Sequence, residues 1–469
     1  MMKNTWKRTL AGLSVLTMVL SAFTSCSGSS TSSTSKSSKA SSSAVTEEST
    51  ENTESTTASK KKSSSALEAE STSHKTNASG VIDTTDMFSD RDMSQSADTS
   101  EAKALTVSDG KTIEITEAGV YTVSGSAKNC TIKIDADKEA KVQLVLDGVT
   151  VENENFPVIY AVSADKVFVT STGAENKLSV TESFTADGDT NTDAVIFSKD
   201  DLVLNGTGSV TVYSPYGNGI SCKDDLKITG GTYDITSAKD AFEANDSIAI
   251  CGGDFIIKTQ KDGFHCENDE DNTLGSIYIS DGTFDITAGS DGIQGTTYVQ
   301  IDGGTYSIEA SEGIEATYVQ INGGEITINA SDDGINATSK STACEIVVEF
   351  NGGYTTITMG QGDTDGVDAN GSIYVNGGTI DITAQMSSFD YDAAAEFNGG
   401  TIIVNGEEVS EIPQSMMGGH GGMGGFGGGM GTPPDGEFGG GMGTPPDGEF
   451  GGGRGNHGRM NKTSEQSGI

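Results

Sequence analysis

Acidic side chains recur at regular intervals through the middle of this 469-residue chain. Most of them are followed by glycine and then by an apolar residue. The members of this series are Asp240, Asp262, Asp291, Glu312, Asp333, Asp365 and Asp390. A second series of polar or acidic residues stands three positions further on and consists of Glu243, Gln294, Glu315, Asn336 and Asp368. Carboxylate and amide oxygens are the ligands that Ca²⁺ prefers, so the two series together predict calcium sites.

Electrostatic repulsion explains why such a series would need cations. Equivalent positions on stacked parallel strands lie about 4.8 Å apart. Two carboxylates at that distance repel each other by about 3.5 kcal/mol at an effective dielectric constant of about 20. Either their pKa values rise or bound cations neutralise them, and Mg²⁺ suits an irregular oxygen cage less well than Ca²⁺. The predicted metal ligands are Asp240, Glu243, Asp262, Asp291, Glu312, Glu315, Asp333, Asn336, Asp365, Asp368 and Asp390.

A simpler interpretation of these acids stays open. Asp-Gly is a common turn dipeptide, and an aspartate in it can hydrogen-bond its own backbone. The regular recurrence of the series favours the cation interpretation. The apolar residues that follow are predicted to form the core rather than a platform for sugars, and they are Ile220, Phe242, Phe264, Ile293, Ile314, Ile335 and Val367.

A repeat of short strands must position these side chains. Its phrases alternate β-branched or aromatic residues with polar ones around glycine turns, as in ITGGTYDITS and INGGEITINA. Successive marker glycines are 20 to 29 residues apart, at Gly208, Gly231, Gly253, Gly282, Gly304, Gly324, Gly353, Gly378 and Gly400. This period predicts an all-β parallel solenoid with two or three strands per repeat. The asparagines before Gly-Gly are predicted to be turn residues that tolerate left-handed geometry, at Asn322, Asn351, Asn376 and Asn398.

The N-terminus has the pattern of a secretory signal. Lys3, Lys7 and Arg8 precede an apolar stretch at 10–23 that is too short to span a bilayer comfortably. Cys26 follows small residues as in a bacterial lipobox, which predicts its lipidation, with ordinary signal cleavage as the alternative. The predicted divisions are a signal peptide at 1–25, a disordered Ser/Thr-rich tether at 26–103, the β-solenoid at 104–412 and a disordered Gly/Met-rich tail at 413–469.

A lipid anchor followed by a tether predicts a protein on the extracellular face of a bacterial membrane, with secretion as the alternative. The chain carries 68 acidic and 28 basic residues, a formal charge of −40. Such a surface repels nucleic acid and anionic lipid, so contact with the membrane is expected only through the anchor. The cysteines after Cys26 are predicted to be mostly buried, with no indicated disulfide pair, and they are Cys130, Cys222, Cys251, Cys266 and Cys344.

Several phrases in a fixed order resemble a known family. VLDGVTV, TDAVIFSKDDLVLNGTGSVTV and NGISCKDDLKITGGTYDIT precede the repeated Asp-Gly-Ile phrases. Over residues 105–400 the chain resembles the clostridial carbohydrate-binding β-helix family. The resemblance implies a right-handed parallel β-helix, a single-stranded β-solenoid similar to pectate lyases, that binds calcium and cellulose-like or acidic polysaccharides. It also implies that the Asp-Gly-apolar positions hold calcium, with departures at Asp240-Ala, Glu312 and Asp390-Tyr.

The predicted function is therefore calcium-dependent, non-catalytic polysaccharide binding by a monomeric surface lipoprotein. The only tryptophan, Trp6, lies in the predicted signal, which disfavours stacking on flat cellulose and favours uronic-acid polymers bridged through cations. A calcium-dependent polysaccharide lyase and a structural or adhesive solenoid stay open as alternatives. Candidate bases for a lyase are Lys223, Lys239 and Lys261. The last two directly precede series acids, so alternation along a strand predicts that they point to the opposite face.

Overall fold

The computed structural model describes residues 80–362 and 364–413. Within these ranges the chain forms β-strands and no helix. The strands, in chain order, are β1 Lys103–Thr106, β2 Thr112–Ile115, β3 Gly119–Lys128, β4 Thr131–Asp135, β5 Lys141–Asn153, β6 Ile159–Ser163, β7 Lys166–Ser171, β8 Glu175–Val180, β9 Ala194–Ser198, β10 Asp201–Gly206, β11 Ser209–Ser214, β12 Asn218–Cys222, β13 Asp225–Ile228, β14 Thr232–Ser237, β15 Phe242–Ala244, β16 Ser247–Thr259, β17 Phe264–Cys266, β18 Ser276–Thr287, β19 Asp291–Gly295, β20 Tyr298–Ile301, β21 Thr305–Ala310, β22 Glu312–Ala316, β23 Tyr318–Ile321, β24 Glu325–Ala330, β25 Ile335–Ala337, β26 Val347–Phe350, β27 Tyr354–Met359, β28 Asp365–Ala369, β29 Ser372–Val375, β30 Thr379–Thr383, β31 Ser387–Tyr391, β32 Ala395–Phe397, β33 Thr401–Val404 and β34 Glu407–Val409.

The strands form a 12-stranded and a 22-stranded sheet. A typical repeat contributes one strand to the smaller sheet and then two to the larger one, as β22, β23 and β24 do. Apart from strands at the two ends of the fold, each strand pairs in parallel with its equivalents one repeat before and after, so that β12 lies between β9 and β15. At the C-terminal end, β33 and β34 pair antiparallel. The prediction of an all-β fold with parallel strands is confirmed.

Alternation of apolar and polar residues decides which side chains enter the core. In β14 the sequence TYDITS buries Tyr233, Ile235 and Ser237 and leaves its acid, Asp234, exposed. The apolar residues after the acids are all fully buried, as predicted, at Ile220, Phe242, Phe264, Ile293, Ile314, Ile335 and Val367.

Aromatic rings of neighbouring repeats stack on one another inside the core. The ring centroids of Phe242 and Phe264 are 4.8 Å apart with an interplanar angle of 4°. Those of Phe284 and Tyr306 are 4.5 Å apart. Burial of such rings removes a large apolar area from water, and this is the main force that holds the repeats together.

The asparagines before Gly-Gly do not have the left-handed geometry that the sequence suggested. In the described chain, positive φ at these turns belongs to the second glycine, as in Gly324 with φ 96° and Gly353 with φ 80°. The asparagine side chains instead hydrogen-bond from repeat to repeat, with Asn351 donating to Asn322 over 2.8 Å and Asn376 to Asn351 over 2.9 Å. Their repetition therefore reflects an asparagine ladder rather than backbone strain.

Residues 80–102 lie against the outer face of the larger sheet, although the sequence assigned them to the tether. The backbone N–H of Ile82 donates to Gln300 Oε1 over 2.8 Å. Further along, Gln95 Nε2 donates to the Thr229 carbonyl over 3.0 Å, and the Arg91 guanidinium lies 4.3 Å from the Phe168 ring centroid. The boundary predicted at residue 104 is therefore too late. The polar composition of this segment concealed its packing.

Other predictions concern residues outside the described ranges. The signal peptide, lipidation of Cys26, the tether up to residue 79 and almost all of the C-terminal tail belong to this group. In the described part of the chain, no helix has the length and apolar character needed to cross a membrane. The five cysteines there are free thiols, and Cys130, Cys222 and Cys266 are buried.

Candidate functional site

The predicted acids form a column along one edge of the 12-stranded sheet. The register places Asp291 opposite Glu312 and, two residues on, Ile293 opposite Ile314. The same alignment of apolar residues extends the column in both directions. We call it the first column, and its members are Asn218, Asp240, Asp262, Asp291, Glu312, Asp333, Asp365 and Ser387.

A second column runs parallel to the first, three residues further along each repeat. The pairings Glu243↔His265, Gln294↔Glu315 and Asn336↔Asp368 define its register. The members of this second column are Ser221, Glu243, His265, Gln294, Glu315, Asn336, Asp368 and Asp390.

Asp390 lies in the second column, whereas the sequence placed it at the end of the first. Its partner is Asp368, and Ser387 stands opposite Asp365. The reason is the core. Phe389 pairs with Val367, so the buried apolar residue sets the register, and the position two residues before it falls on a serine.

Three aspartates of the first column, Asp240, Asp262 and Asp333, each use one oxygen to accept a backbone N–H of the next repeat. The backbone N–H of Asp262 donates to Asp240 Oδ1 over 3.1 Å, and that of Asp291 donates to Asp262 Oδ1 over 3.0 Å. Asn218 Oδ1 starts this series by accepting from the Asp240 N–H. The turn interpretation expected bonds to the same residue's own backbone, but these bonds connect neighbouring repeats. Such an arrangement leaves the second oxygen of these three carboxylates for other partners.

Second-column side chains reach back to the first column of the preceding repeat. Asn336 Nδ2 donates to Glu312 Oε2 over 3.0 Å. Asn218 Nδ2 donates to Glu243 Oε2 over 2.8 Å. The repeat therefore brings the two predicted series into direct contact, and clusters of oxygen ligands form along the boundary between the columns.

The cluster at Asp240, Asp262 and His265 contains its own cationic groups. The ligand atoms of these three residues lie within 4.8 Å of one another. Lys261 Nζ is 3.2 Å from Asp240 Oδ2 and 3.7 Å from Asp262 Oδ2, so Lys261 does not point away as predicted. Residues 260–263 lie outside the strands, and strand alternation does not apply there.

Proton affinities in this first cluster follow from the same contacts. Burial raises the pKa of Asp240, but the hydrogen bond and charge of His265, together with Lys261, outweigh burial and bring the pKa below its usual value. Burial and the charge of Asp240 raise the pKa of Asp262. Burial lowers the pKa of His265, but its hydrogen bond to Asp240 and the two aspartate charges raise it overall. Internal cations thus neutralise much of this cluster.

Asp291, Glu312 and Glu315 form a cluster made of carboxylates alone. Their ligand atoms lie within 4.8 Å of one another, and Lys340 Nζ is 2.7 Å from Glu315 Oε2. Burial, followed by repulsion from Asp262 and Glu312, raises the pKa of Asp291 to about 8. Burial and the charge of Glu315 raise the pKa of Glu312 to about 7. Lys340 supplies one positive charge against three carboxylates, and the remaining excess of negative charge fits a hard divalent cation.

The columns continue through a third group of acids. Burial raises the pKa of Asp333 to about 7, and burial with the charge of Asp365 raises that of Asp368 to about 6. Asn336 Oδ1 is buried and has no hydrogen-bond partner among the described residues. An orphaned carbonyl oxygen beside carboxylates is a further feature that suits a calcium ligand set.

Sequence reasoning missed two features of the site. His265 stands three residues after Asp262, the same offset that defined the second series, so that offset could have found it. A separate cluster at Asp201, Asp224 and Asp225 lies at turns that lead into the larger sheet. The phrase Lys-Asp-Asp-Leu, which occurs at 199–202 and again at 223–226, could have indicated this cluster.

A family model matches residues 109–366, more than half of the chain, and it describes the carbohydrate-binding domain-containing proteins. The chain belongs to this family. A carbohydrate-binding domain-containing protein of Acetivibrio thermocellus is 41% identical over 201 residues, which cover 42% of this chain and 70% of that protein. The acid columns from Asn218 to Glu315 and on to Asp365 fall within the matched carbohydrate-binding domain.

One solved structure was also matched, that of a polysaccharide lyase-like protein from C. thermocellum, as a gadolinium derivative. It is 24% identical and covers 65% of this chain and 96% of its own, with a TM-score of 0.31. The assignment to the carbohydrate-binding domain family rests on the sequence matches.

Proposed function

We propose that this protein is a calcium-dependent, non-catalytic polysaccharide-binding protein. The observation that carries the proposal is the cluster of Asp291, Glu312 and Glu315, whose oxygens converge within 4.8 Å. Membership of a carbohydrate-binding family supports a polysaccharide as the ligand. Bound Ca²⁺ would supply positive charge at these carboxylates. The chain's own residues would orient the ligand set, since the Gln294 amide donates to Glu315 Oε2 and the Asn336 amide donates to Glu312 Oε2.

For the architecture we propose a right-handed parallel β-helix, which is a more specific description than an all-β fold with parallel strands. The pairing of each strand with its equivalents in neighbouring repeats supports it. A β-helix turns the spacing of the repeat into a straight row of ligands. An extended polymer could then contact several equivalent positions at once.

The proposed polysaccharide class is uronic-acid polymers, with cellulose-like chains as the second possibility. A chain of formal charge −40 would repel a polyanion unless cations lay between them. Calcium on the column would remove that repulsion and bridge the two anionic partners. Tryptophan platforms are absent from the sequence after Trp6, which leaves cellulose the weaker candidate.

The test is calcium-dependent retention on immobilised polygalacturonate, compared with cellulose. We expect binding in CaCl₂ and release in EGTA. The double variant Asp291→Asn, Glu312→Gln should weaken both calcium binding, measured by titration calorimetry, and retention by at least about tenfold, or 1.4 kcal/mol. The exposed acid Asp285 provides the matched control, Asp285→Asn, which should change neither. Retention that is undiminished in EGTA would contradict the proposal.

A lyase is the second candidate, and the position of Lys261 favours keeping it. The Lys261 amine lies beside Asp240 and Asp262, where a base would need to be. Burial lowers the pKa of Lys261, but the charges of Asp240 and Asp262 outweigh burial and leave that pKa above the ordinary value, which disfavours the neutral form that a base requires. Ultraviolet absorbance of unsaturated uronate, followed with polygalacturonate and CaCl₂, distinguishes the two functions. The non-catalytic proposal expects no increase.

We further propose a monomer that is lipid-anchored through Cys26 on the extracellular face of the membrane. The lipobox-like sequence before Cys26 supports the anchor. Metabolic labelling with a palmitate analogue should mark the native protein and not Cys26→Ser, which should appear in the medium. A glycan array probed in calcium separates sugar binding from a purely structural or adhesive role, since the latter would give no signal.

A further inference from the structure

A cavity of about 540 Å³ opens on the outer face of the 12-stranded sheet, next to the N-terminal end of the acid columns. Its volume falls within the range of small-molecule sites, about 300–1,000 Å³. Glu243 of the second column forms part of its wall, so the cavity is continuous with the columns. The rest of its lining consists of Thr190, Asn191, Asp193, Phe197, Lys199, Lys223 and Asp269.

The wall of this cavity is a structured insertion. Residues 181–193 connect β8 to β9 and are held by internal hydrogen bonds, including Thr192 Oγ1 to the Thr185 carbonyl over 2.8 Å. The Tyr160 hydroxyl donates to Asp187 Oδ2 over 3.0 Å and fastens the insertion to the sheet. Insertions in repeat proteins commonly build the binding face. The cavity is therefore present before any ligand arrives.

Two lysines, Lys199 and Lys223, line this cavity together with the carboxylates of Asp193, Glu243 and Asp269. Lys223 Nζ is 2.9 Å from Glu243 Oε1, and Lys239 pairs with Asp193. Lys199 Nζ donates to the Thr190 hydroxyl over 2.7 Å. Among the ion pairs of residues 80–362 and 364–413, none includes Lys199. The half-buried Lys199 ammonium therefore donates to a neutral hydroxyl and has no ion-pair partner among these residues.

The remaining lining suits a sugar ring. Phe197 also lines the cavity but is only 1% exposed, and Lys223 Nζ lies 5.8 Å from the centroid of its ring. Thr190 and Asn191 supply hydroxyl and amide groups at the rim. Hydroxyl, amide and ammonium groups match a monosaccharide that carries a carboxylate.

We propose that this cavity binds one uronic acid unit of the polysaccharide directly, with Lys199 and Lys223 holding its carboxylate. The proposal rests on the proposed function and adds a calcium-independent subsite to it. Neighbouring units of the polymer would then extend along the columns, beginning at Glu243. Recognition would thus combine a direct ion pair at one end with cation bridges further along.

The test uses the monosaccharides galacturonate and galactose with the whole protein in EGTA, followed by ligand-observed NMR. We expect galacturonate to bind and galactose to bind at least about tenfold more weakly, as loss of a charge-assisted contact would cause. Lys199→Gln should lose galacturonate binding and Lys199→Arg should retain it. Lys258→Gln, at an exposed lysine on the larger sheet, is the matched control and should bind as the unaltered protein does.

The outcomes separate this proposal from the proposed function. Equal binding of the two sugars in EGTA, or binding unaffected by Lys199→Gln, would overturn the subsite while calcium-dependent retention on polygalacturonate stayed intact. Galacturonate binding in EGTA without any retention of the polymer in calcium would support the subsite and refute the calcium bridge.

Discussion

At the scale of single residues, the two oxygens of Asp240 and of Asp262 have different partners. Asp240 Oδ1 and Asp262 Oδ1 accept backbone N–H groups of the next repeat. Asp240 Oδ2 contacts Lys261 and His265. Cations are thus provided by the protein at one end of the column. Further along, burial and the charges of neighbouring carboxylates raise the pKa values of Asp291 and Glu312. An external cation is therefore expected to bind most favourably at these two residues.

The raised pKa values predict how stability without metal depends on pH. The folded pKa is about 8 for Asp291 and about 7 for Glu312 and Asp333, against ordinary values of 3.8, 4.5 and 3.8. Between the ordinary and folded values the folded protein binds more protons than the unfolded chain, so the free energy of unfolding falls as pH rises. We expect the protein in EGTA to be about 2 kcal/mol more stable at about pH 5.5 than at about pH 8.5. Chemical denaturation at the two pH values measures this.

Saturating calcium should reverse this dependence, because protons and Ca²⁺ compete for the same oxygens. The double variant Asp291→Asn, Glu312→Gln serves as the control, and its stability in EGTA should change less with pH. A metal-free protein that gained stability steadily from about pH 5.5 to about pH 8.5 would contradict the assignment of these carboxylates as protonated groups.

The recurring acid-Gly-apolar pattern in the sequence identified most residues of the columns, but it did not predict which side chains contact them. An acid before Gly-apolar could be recognised because the buried apolar residue fixes the register. Asp390 was assigned to the wrong column for the same reason, since Phe389 and not the acid decides the alignment. The contact of Lys261 with Asp240 depends on a turn between strands, and no periodic pattern predicts side-chain directions there.

At the scale of elements, glycine in the Asp-Gly-Ile phrases allows strands to approach closely. A Cβ at Gly313 would lie 2.3 Å from the Gly334 carbonyl oxygen and 2.5 Å from Ile328 Cγ2. Gly313→Ala should therefore destabilise the protein by about 1–3 kcal/mol, as overpacking does. Gly173→Ala is the matched control, because a Cβ there meets nothing within 4 Å. Thermal unfolding of both variants tests this, and equal melting temperatures would refute the steric role.

Asparagines in the middle of the ladder should contribute more to the stability of the protein than the asparagine at its end. Asn351 donates to Asn322 and accepts from Asn376, whereas Asn398 at the end donates to Asn376 alone within the ladder. Asn351→Ala breaks two bonds and should cost about 1–3 kcal/mol, and Asn398→Ala should cost about half as much. Denaturant midpoints compare the two variants. A larger loss at Asn398 would be inconsistent with a ladder.

Strands and core were predictable because their signal is local and repeated. The alternation in TYDITS predicts one buried and one exposed face without knowledge of the neighbouring repeats. The ladder was not predictable in the same way, because Asn-Gly-Gly is also an ordinary turn sequence. The packing of residues 80–102 on the larger sheet depends on single polar contacts such as Ile82 with Gln300, which no composition reveals.

At the scale of the whole molecule, the formal charge of −40 opposes the compact state. Part of this charge is spread over the surface and responds to any salt, since ions screen exposed charges within about 10 Å at 0.1 M. The carboxylates of the columns are different, because they are close together and partly buried. Screening reaches them poorly, whereas a cation bound between them neutralises them directly.

Salt and calcium should therefore stabilise the protein in separable ways. In EGTA, added NaCl should raise the melting temperature gradually, without saturation at a defined concentration. Added CaCl₂ at constant ionic strength should give a saturable increase, and a site filled at a hundred times its Kd stabilises by about 2.7 kcal/mol. MgCl₂ should reproduce the effect of NaCl, because Mg²⁺ does not readily shed water for an irregular carboxylate set. Identical curves for CaCl₂ and MgCl₂ would mean that the columns act only as diffuse charge, and that the carboxylates at Asp291 and Glu312 hold no ion of their own.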